Sequence, residues 1–204
     1  MVVDRRHFFA RVRAEIFGGS LRASQVEGLN AVLDGWRRRV PEGDHNALAY
    51  VLATAFHETA GTMQPVRETL AKSDAAAIAR LEKAYASGRL GSVRTPYWRP
   101  DAEGKSWLGR GLVQLTHRRN YEAMSELTGV DLVADPARAM EMEVSVTILI
   151  EGMRAGSFTG LRLGDYFGSG RADWLGARRI INGTDRAELV AGHGRAFCRA
   201  LAGV

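Results

Sequence analysis

The stretch AFHETAGTMQPVRET, residues 55–69, ends an apolar run on His57 and Glu58 and places Glu68 ten positions later, beyond Gly61 and Pro65. Glu58 follows Ala55 by three residues and Val51 by seven, which on a helical period sets it beside the buried stripe, partly desolvated. It also falls in the last turn, at the negative end of the helix dipole. Both circumstances disfavour the ionised form, as a general acid requires. On one unbroken helix the two acids would stand about 15 Å apart along the axis, but Gly61 and Pro65 supply a break. If the chain folds back, the carboxyl groups can face each other across about 6.5–9.5 Å, the separation at which one protonates a glycosidic oxygen while the other activates water, with inversion. The plainer alternative is a solvated glutamate at a helix end, with Glu68 in an exposed pair with Arg67.

His57-Glu58 opens like a zinc-protease motif, yet Gly61 stands where the second histidine belongs. His7, His45, His117 and His193 show no ligand spacing, so neither a metal nor another cofactor is expected. A second constellation lies in SWLGRGLVQLTHRRNY, residues 106–121. On an extended segment Gln114 and Thr116 point the same way and can line one wall, with Asn120 just beyond. Taken alone, such residues more often satisfy backbone groups in a turn.

These side chains need elements to hold them. The pattern predicts a helix over roughly Asp4–Phe17 with Phe8, Phe9, Val12 and Ile16 on one face, stopped by Gly18-Gly19. A second spans Ser24–Val40, with Val26, Leu29, Val32, Leu33 and Trp36 inward. Asp44 caps a third, carrying Leu48, Val51, Leu52, Ala55 and Phe56. Further helices are predicted over Ala75–Ser87, Asn120–Leu127 and Ala137–Met153, the last with Met140, Val144, Ile148 and Leu149 inward. A final helix follows Asn182-Gly183 and carries Leu189, Val190, Ala196, Phe197 and Leu201. Gly88–Gly109 lacks a period and reads as irregular chain over a surface or cleft. Leu112–Leu115 reads as a short strand or a buried turn. No repeat, low-complexity tract or linker interrupts the chain, so residues 1–204 are expected to form a single, mainly α-helical domain.

With 204 residues, 46% apolar, the chain is long enough for one sizeable core. A net charge of +5 and a pI near 9.8 imply attraction to something anionic: nucleic acid, membrane surface or bacterial wall polymer. The basic residues are scattered, and neither Arg37–Arg39 nor Arg118-Arg119 is interleaved with aromatics, so nucleic acid is not expected as a partner. Cys198 is the only cysteine, which rules out an internal disulfide and fits folding in a reducing compartment. The opening MVVDRRHFFARVR has no hydrophobic segment of signal-peptide length, and the longest uncharged apolar stretch, around residues 47–56, is too short to span a bilayer. The expectation is a protein made in the bacterial cytoplasm, not inserted in a membrane.

Together HET at 57–59, Glu68, GRGLVQLT at 109–116, NY at 120–121 and ARRIINGTD at 177–185 resemble glycoside hydrolase family 19, nearest its phage and prophage endolysin branch. MQPVRE at 63–68, GMRAGSFTGLRL at 152–163 and FFARVRAEIFGGSL at 8–21 are also similar to that branch. The resemblance implies a lysozyme-like, two-lobed helical fold with a substrate cleft, hydrolysing β-1,4-linked N-acetylated aminosugar polymers by inversion. It implies Glu58 as general acid, Glu68 as general base and Thr116 as a holder of the attacking water. His57, Gln114, Asn120 and Asn182 match positions that bind sugar or orient the water. Trp107 stands where the family has an aromatic, either a stacking platform or a buried tryptophan. The two acids lie closer in sequence than in plant members, and His193 falls where those have an arginine supporting the second acid; Arg67, Arg110, Arg178 and Arg179 are its candidate replacements. Peptidoglycan is the expected substrate, cleaved as by a muramidase or lysozyme acting on the wall after release, and a monomer is expected. The rivals are a chitinase using the same acids and an inactive wall-binding protein on the same scaffold.

Overall fold

Asp44 caps the helix that carries Glu58: its carboxylate accepts the Ala47 amide at 2.9 Å, and the chain then runs helical as α3, His45–Glu58. In this computed structural model, which describes residues 3–91, 93–168 and 170–202, the chain divides into two compact units. The first comprises Met1–Gln64 with Leu149–Val204; the second is Pro65–Ile148. Seven α-helices are present among the described residues, with four two-residue strands, so the mainly α expectation holds.

In the first unit α1 (Arg5–Glu15) and α2 (Ala23–Arg39) precede α3. Every residue of α3 from Ala47 to Ala55 is buried, since α7 (Ala187–Leu201) packs along it and α2 also touches it. Of the residues expected inward on α1 and α2, Phe8, Val12, Leu29, Val32, Leu33 and Trp36 are buried, whereas Phe9, Val26 and Ile16, the last at the C-cap of α1, are only half-buried. On α7 Val190, Ala196, Phe197 and Leu201 are buried, whereas Leu189 is exposed. Strands β3 (Phe167–Gly168) and β4 (Arg171–Ala172) pair antiparallel, and a 3-10 turn, Gly176–Ile180, precedes α7.

The second unit holds β1 (Val66–Arg67), α4 (Asp74–Ala86), β2 (Arg110–Gly111) and α5 (Arg118–Thr128). β1 and β2 pair antiparallel, Val66 opposite Gly111 and Arg67 opposite Arg110. α6, Met142–Ala155, starts in this unit and ends in the first.

One expectation is corrected here. The single helix over Ala137–Met153 is instead a 3-10 turn, Pro136–Met140, followed by α6, with Glu141 extended at φ −67, ψ 131. The loop after β2 docks at this break. Leu112 donates its amide to Ser145 Oγ at 2.7 Å, and a Cβ on Gly111 would meet that oxygen at 2.7 Å and the Ala139 carbonyl at 3.0 Å. Met140 is consequently only half-buried, and Ala139 takes the inward place. The Gly88–Gly109 segment lacks helix and, as read, is mostly exposed or half-buried, but it is anchored inside at Trp98 and residues 106–109. Trp98 and Leu108 are fully buried with Ala71, Ala77 and Leu81. The irregular backbone tolerates burial because its polar groups are met locally: Ser106 Oγ donates to the Trp98 carbonyl at 2.6 Å, and the Trp98 indole donates to Glu82 at 2.7 Å. Residues 112–115 form a buried turn, closed by the Arg110–Leu115 bridge.

Candidate active site

The end of α3 fixes Glu58. The Ala60 amide donates to the His57 carbonyl at 3.1 Å and the Gly61 amide to the Phe56 carbonyl at 2.7 Å, the pattern of a Schellman cap. Its left-handed position is filled by Ala60, φ 49, where glycine is usual. Thr59, fully buried, returns its hydroxyl to the Ala55 carbonyl at 2.7 Å and accepts the Met63 amide at 3.1 Å. Met63 then lies so close to α2 that a Cβ on Gly28 would stand 1.7 Å from its carbonyl oxygen. Only glycine fits there, so the turn after Glu58 is clamped from both sides.

Glu58 is 16% exposed and its Oε1 accepts from Arg178 NH1 at 2.7 Å. Arg178, 2% exposed, also donates Nε to the Asp185 carbonyl at 2.9 Å. Arg178 was a candidate partner for the other acid; it is Glu58 that it pairs. His57, half-buried, is held below the usual histidine range by burial, with Arg178 and Arg186 acting in the same sense and Glu58 against them. Asn182 is exposed, and its backbone N–H donates to the Arg178 carbonyl at 3.0 Å. His193 packs its ring on Phe56, centroids 4.8 Å apart.

In the second unit Glu68 is bracketed by donors. Tyr97 gives its hydroxyl to Oε1 at 2.6 Å, the Gly109 amide goes to Oε2 at 2.8 Å, and the Glu68 amide itself meets the Gly109 carbonyl at 2.7 Å. Burial, reinforced by the Glu68 carboxylate, pushes the Tyr97 phenol well above its ordinary value, so it stays a donor. Among the described residues no cation forms an ion pair with Glu68: Arg67 and the buried Arg110 both pair with Asp74 instead. Arg110 NH1 further meets the carbonyls of Ser106 and Leu108 and the Tyr121 hydroxyl, which ties the segment before β2 to α5.

Gln114 spends its amide on the scaffold, donating to the Val66 carbonyl at 2.9 Å and the Gly111 carbonyl at 3.3 Å. It thereby braces β1 against β2. Asn120 donates to the Thr116 carbonyl at 2.7 Å, and both are half-buried. Of its two readings Trp107 takes the buried one and not the stacking platform: it is 5% exposed, its indole donates to Asp101 at 3.0 Å, and Tyr121 and Arg118 cover its ring. The loop turns it inward and leaves no open face for stacking.

The candidates thus form two groups, His57, Glu58 and Asn182 in one unit, and Glu68, Gln114, Thr116 and Asn120 in the other. Tyr97 and the pairing of Arg178 with Glu58 escaped the sequence reading; the aromatic-rich TPYW at 95–98 and the arginines of ARRI at 177–180 were the available signals. Strain marks the same places. Among the described residues the non-glycine positive-φ positions are Ala60, Met63, Thr69, Leu70, Gln114, His117 and Arg186, each within five positions of a site candidate or itself one. Such conformations cost about 1–3 kcal/mol each and gather at functional sites. Among the described residues no group of three or more His, Cys, Asp or Glu side chains is arranged to hold a metal, and no helix is long and apolar enough to cross a membrane.

The architecture is that of a mainly helical, lysozyme-like fold of the family 19 chitinase type. It is similar to a solved structure described as a bacterial family 19 chitinase that differs from plant enzymes, with a TM-score of 0.60 and 21% identity over 100% of this chain and 97% of that one. No family model and no curated protein matches the chain.

Proposed function

We propose that this protein is a glycoside hydrolase that cleaves β-1,4 links between N-acetylated aminosugars, with bacterial peptidoglycan as its polymer and an endolysin of the muramidase or lysozyme type as its role. The observation that carries the reading is the treatment of the two glutamates: each follows or precedes strained backbone and has its carboxylate met by fixed donors, Arg178 for Glu58 and Tyr97 with Gly109 for Glu68. Supports of this kind fix the orientation of a carboxylate, which a catalytic pair requires. The fold likeness and the motifs around both acids point the same way.

In this mechanism Glu58 gives its proton to the glycosidic oxygen as the bond to the anomeric carbon breaks. A water on the opposite ring face attacks that carbon and loses a proton to Glu68, which inverts the anomeric centre. Thr116 holds the water; among the described residues none bonds its hydroxyl, so it is at liberty to do so. Asn120, Asn182 and His57 meet the sugars, and Gln114 acts through β1 and β2 as a positioning residue.

A chitinase is the second reading, favoured by the described activity of the structural neighbour. The cationic balance of +5 favours the anionic wall. Purified peptidoglycan and N-acetylglucosamine hexamer, digested in parallel with fragment masses and product anomers read, decide between them. Peptidoglycan fragments of α configuration are expected; cleavage of the hexamer alone would move the assignment to chitin, and retention of configuration would remove the two-carboxylate mechanism. Glu58→Gln should abolish turnover while fold and wall binding persist, because a neutral amide is far too weak an acid to protonate the glycosidic oxygen.

A further inference from the structure

We infer that Leu70 is a sugar-contacting residue, an apolar platform for an aminosugar ring bound beside Glu68; the inference rests on the glycosidase reading above. Leu70 is 53% exposed, and among the described residues it is the one exposed large hydrophobic side chain in the unit spanning 65–148. It lies two residues beyond the proposed base, at the crest of a tight turn in which Thr69 (φ 61) and Leu70 (φ 54) are both left-handed.

The turn is held at both ends. Before it, the Glu68 amide and carboxylate are bonded to Gly109. After it, Ala71 is buried against Trp98 and Leu108. Between them, the Thr69 carbonyl accepts from Arg80 NH1 at 2.9 Å. Two residues must therefore carry the chain from Glu68 to the core, and left-handed backbone is how they do it.

Reversal alone does not call for leucine. Elsewhere the chain meets left-handed positions mainly with glycine, thirteen of them among the described residues, and glycine or asparagine at 70 would turn at less strain. Leucine here is doubly unfavourable in the free protein, in its backbone conformation and in the apolar surface it shows to water. The bound state is where that arrangement is repaid. Aminosugars have the matching surface: the C–H face of the pyranose ring and the acetamido methyl group are apolar patches on an otherwise polar molecule. With Trp107 buried, Leu70 supplies an open apolar face two positions along the chain from Glu68.

The test compares Leu70→Gly with the wild-type chain. Glycine relaxes the turn, so the variant should melt at or above the wild-type temperature. KM for whichever of peptidoglycan and N-acetylglucosamine hexamer the wild-type chain cleaves should rise roughly fivefold to tenfold with kcat unchanged, the mark of binding lost equally from ground and transition states. In a Glu58→Gln background the hexamer Kd, read by calorimetry, should weaken by the same factor. Unchanged KM and Kd would overturn the inference, and so would a lowered melting temperature, which would make Leu70 a packing residue. If the wild-type chain binds the hexamer but cleaves neither polymer, the hydrolase reading fails while the Kd comparison still decides Leu70; if it binds no aminosugar at all, both fail.

Discussion

Tyr97 donates its hydroxyl to one oxygen of Glu68 at 2.6 Å while the Gly109 amide bonds the other at 2.8 Å, so both carboxylate oxygens are oriented by one loop. Tyr97→Phe removes a hydrogen bond to a charged group and nothing else of size. A loss of about 1.5–3 kcal/mol at that contact corresponds to roughly a ten- to hundredfold fall in kcat/KM. Because burial and the carboxylate hold the phenol well above its ordinary value, wild-type Tyr97 keeps its proton throughout the neutral range. The ratio of wild-type to variant activity should therefore be constant between about pH 6 and pH 9. A ratio that changes through this range would mean that Tyr97 itself titrates and that the donor assignment is wrong.

Arg178 makes two divergent bonds from one guanidinium, NH1 to Glu58 and Nε to the Asp185 carbonyl. A lysine ammonium can satisfy one direction but not both from the same buried position. Arg178→Lys should lower kcat/KM about tenfold or more and reduce unfolding stability by about 1–3 kcal/mol, the range for a buried polar group left without its partner. Steady-state rates with denaturant midpoints on the same samples check this. Wild-type rates in the lysine variant would show that charge alone, and not the fork geometry, is what Glu58 needs.

The helices were legible because burial repeats along the chain: Asp44 as a cap and the α3 stripe through Ala55 follow from period and capping chemistry alone. Glu58 and Glu68 stood out through their place relative to that stripe and to Gly61 and Pro65. Their partners did not. Arg178 lies 120 positions from Glu58 and Tyr97 lies 29 from Glu68, and a polar contact between distant segments leaves no local period. The break at Glu141 was hidden for a related reason, since residues 137–153 are apolar at helical spacing and the interruption meets a loop from Gly111 and Leu112. Thr69 and Leu70 were invisible as a left-handed turn because neither residue type advertises positive φ.

Acid stability should depend on Asp74. Burial acts to raise its carboxyl value, but hydrogen bonds from Arg110 and Arg67 outweigh it and hold the group below the ordinary 3.8. A depressed native value contributes stability that is fully present above about pH 5 and is lost as pH falls below 3.8 through the native value, because the unfolded chain takes up its proton first. Asp74 is 35% exposed, so Asp74→Asn should cost about 1–2 kcal/mol at pH 7, less than the 3–5 of a fully buried pair. Urea midpoints for both proteins at pH 7, 5, 4 and 3 should show a constant gap that narrows below about pH 4. A gap that persists undiminished at pH 3 would place the cost in packing and not in the ion pairs.

Trp107 separates a sugar platform from a core residue by stability. A solvent-facing tryptophan can be cut back with little effect on folding, while substrate affinity falls. In the structure its ring is enclosed by Tyr121 and Arg118 and its indole nitrogen is engaged by Asp101. Trp107→Ala should therefore destabilise the fold by about 3–5 kcal/mol through the cavity it leaves. Trp107→Phe, which keeps part of the ring volume and loses the Asp101 bond, should fall between the two. Hexamer affinity of the folded phenylalanine variant should match wild type. Near-neutral stability for the alanine variant together with weakened affinity would return Trp107 to the substrate surface and, with it, the role argued for Leu70.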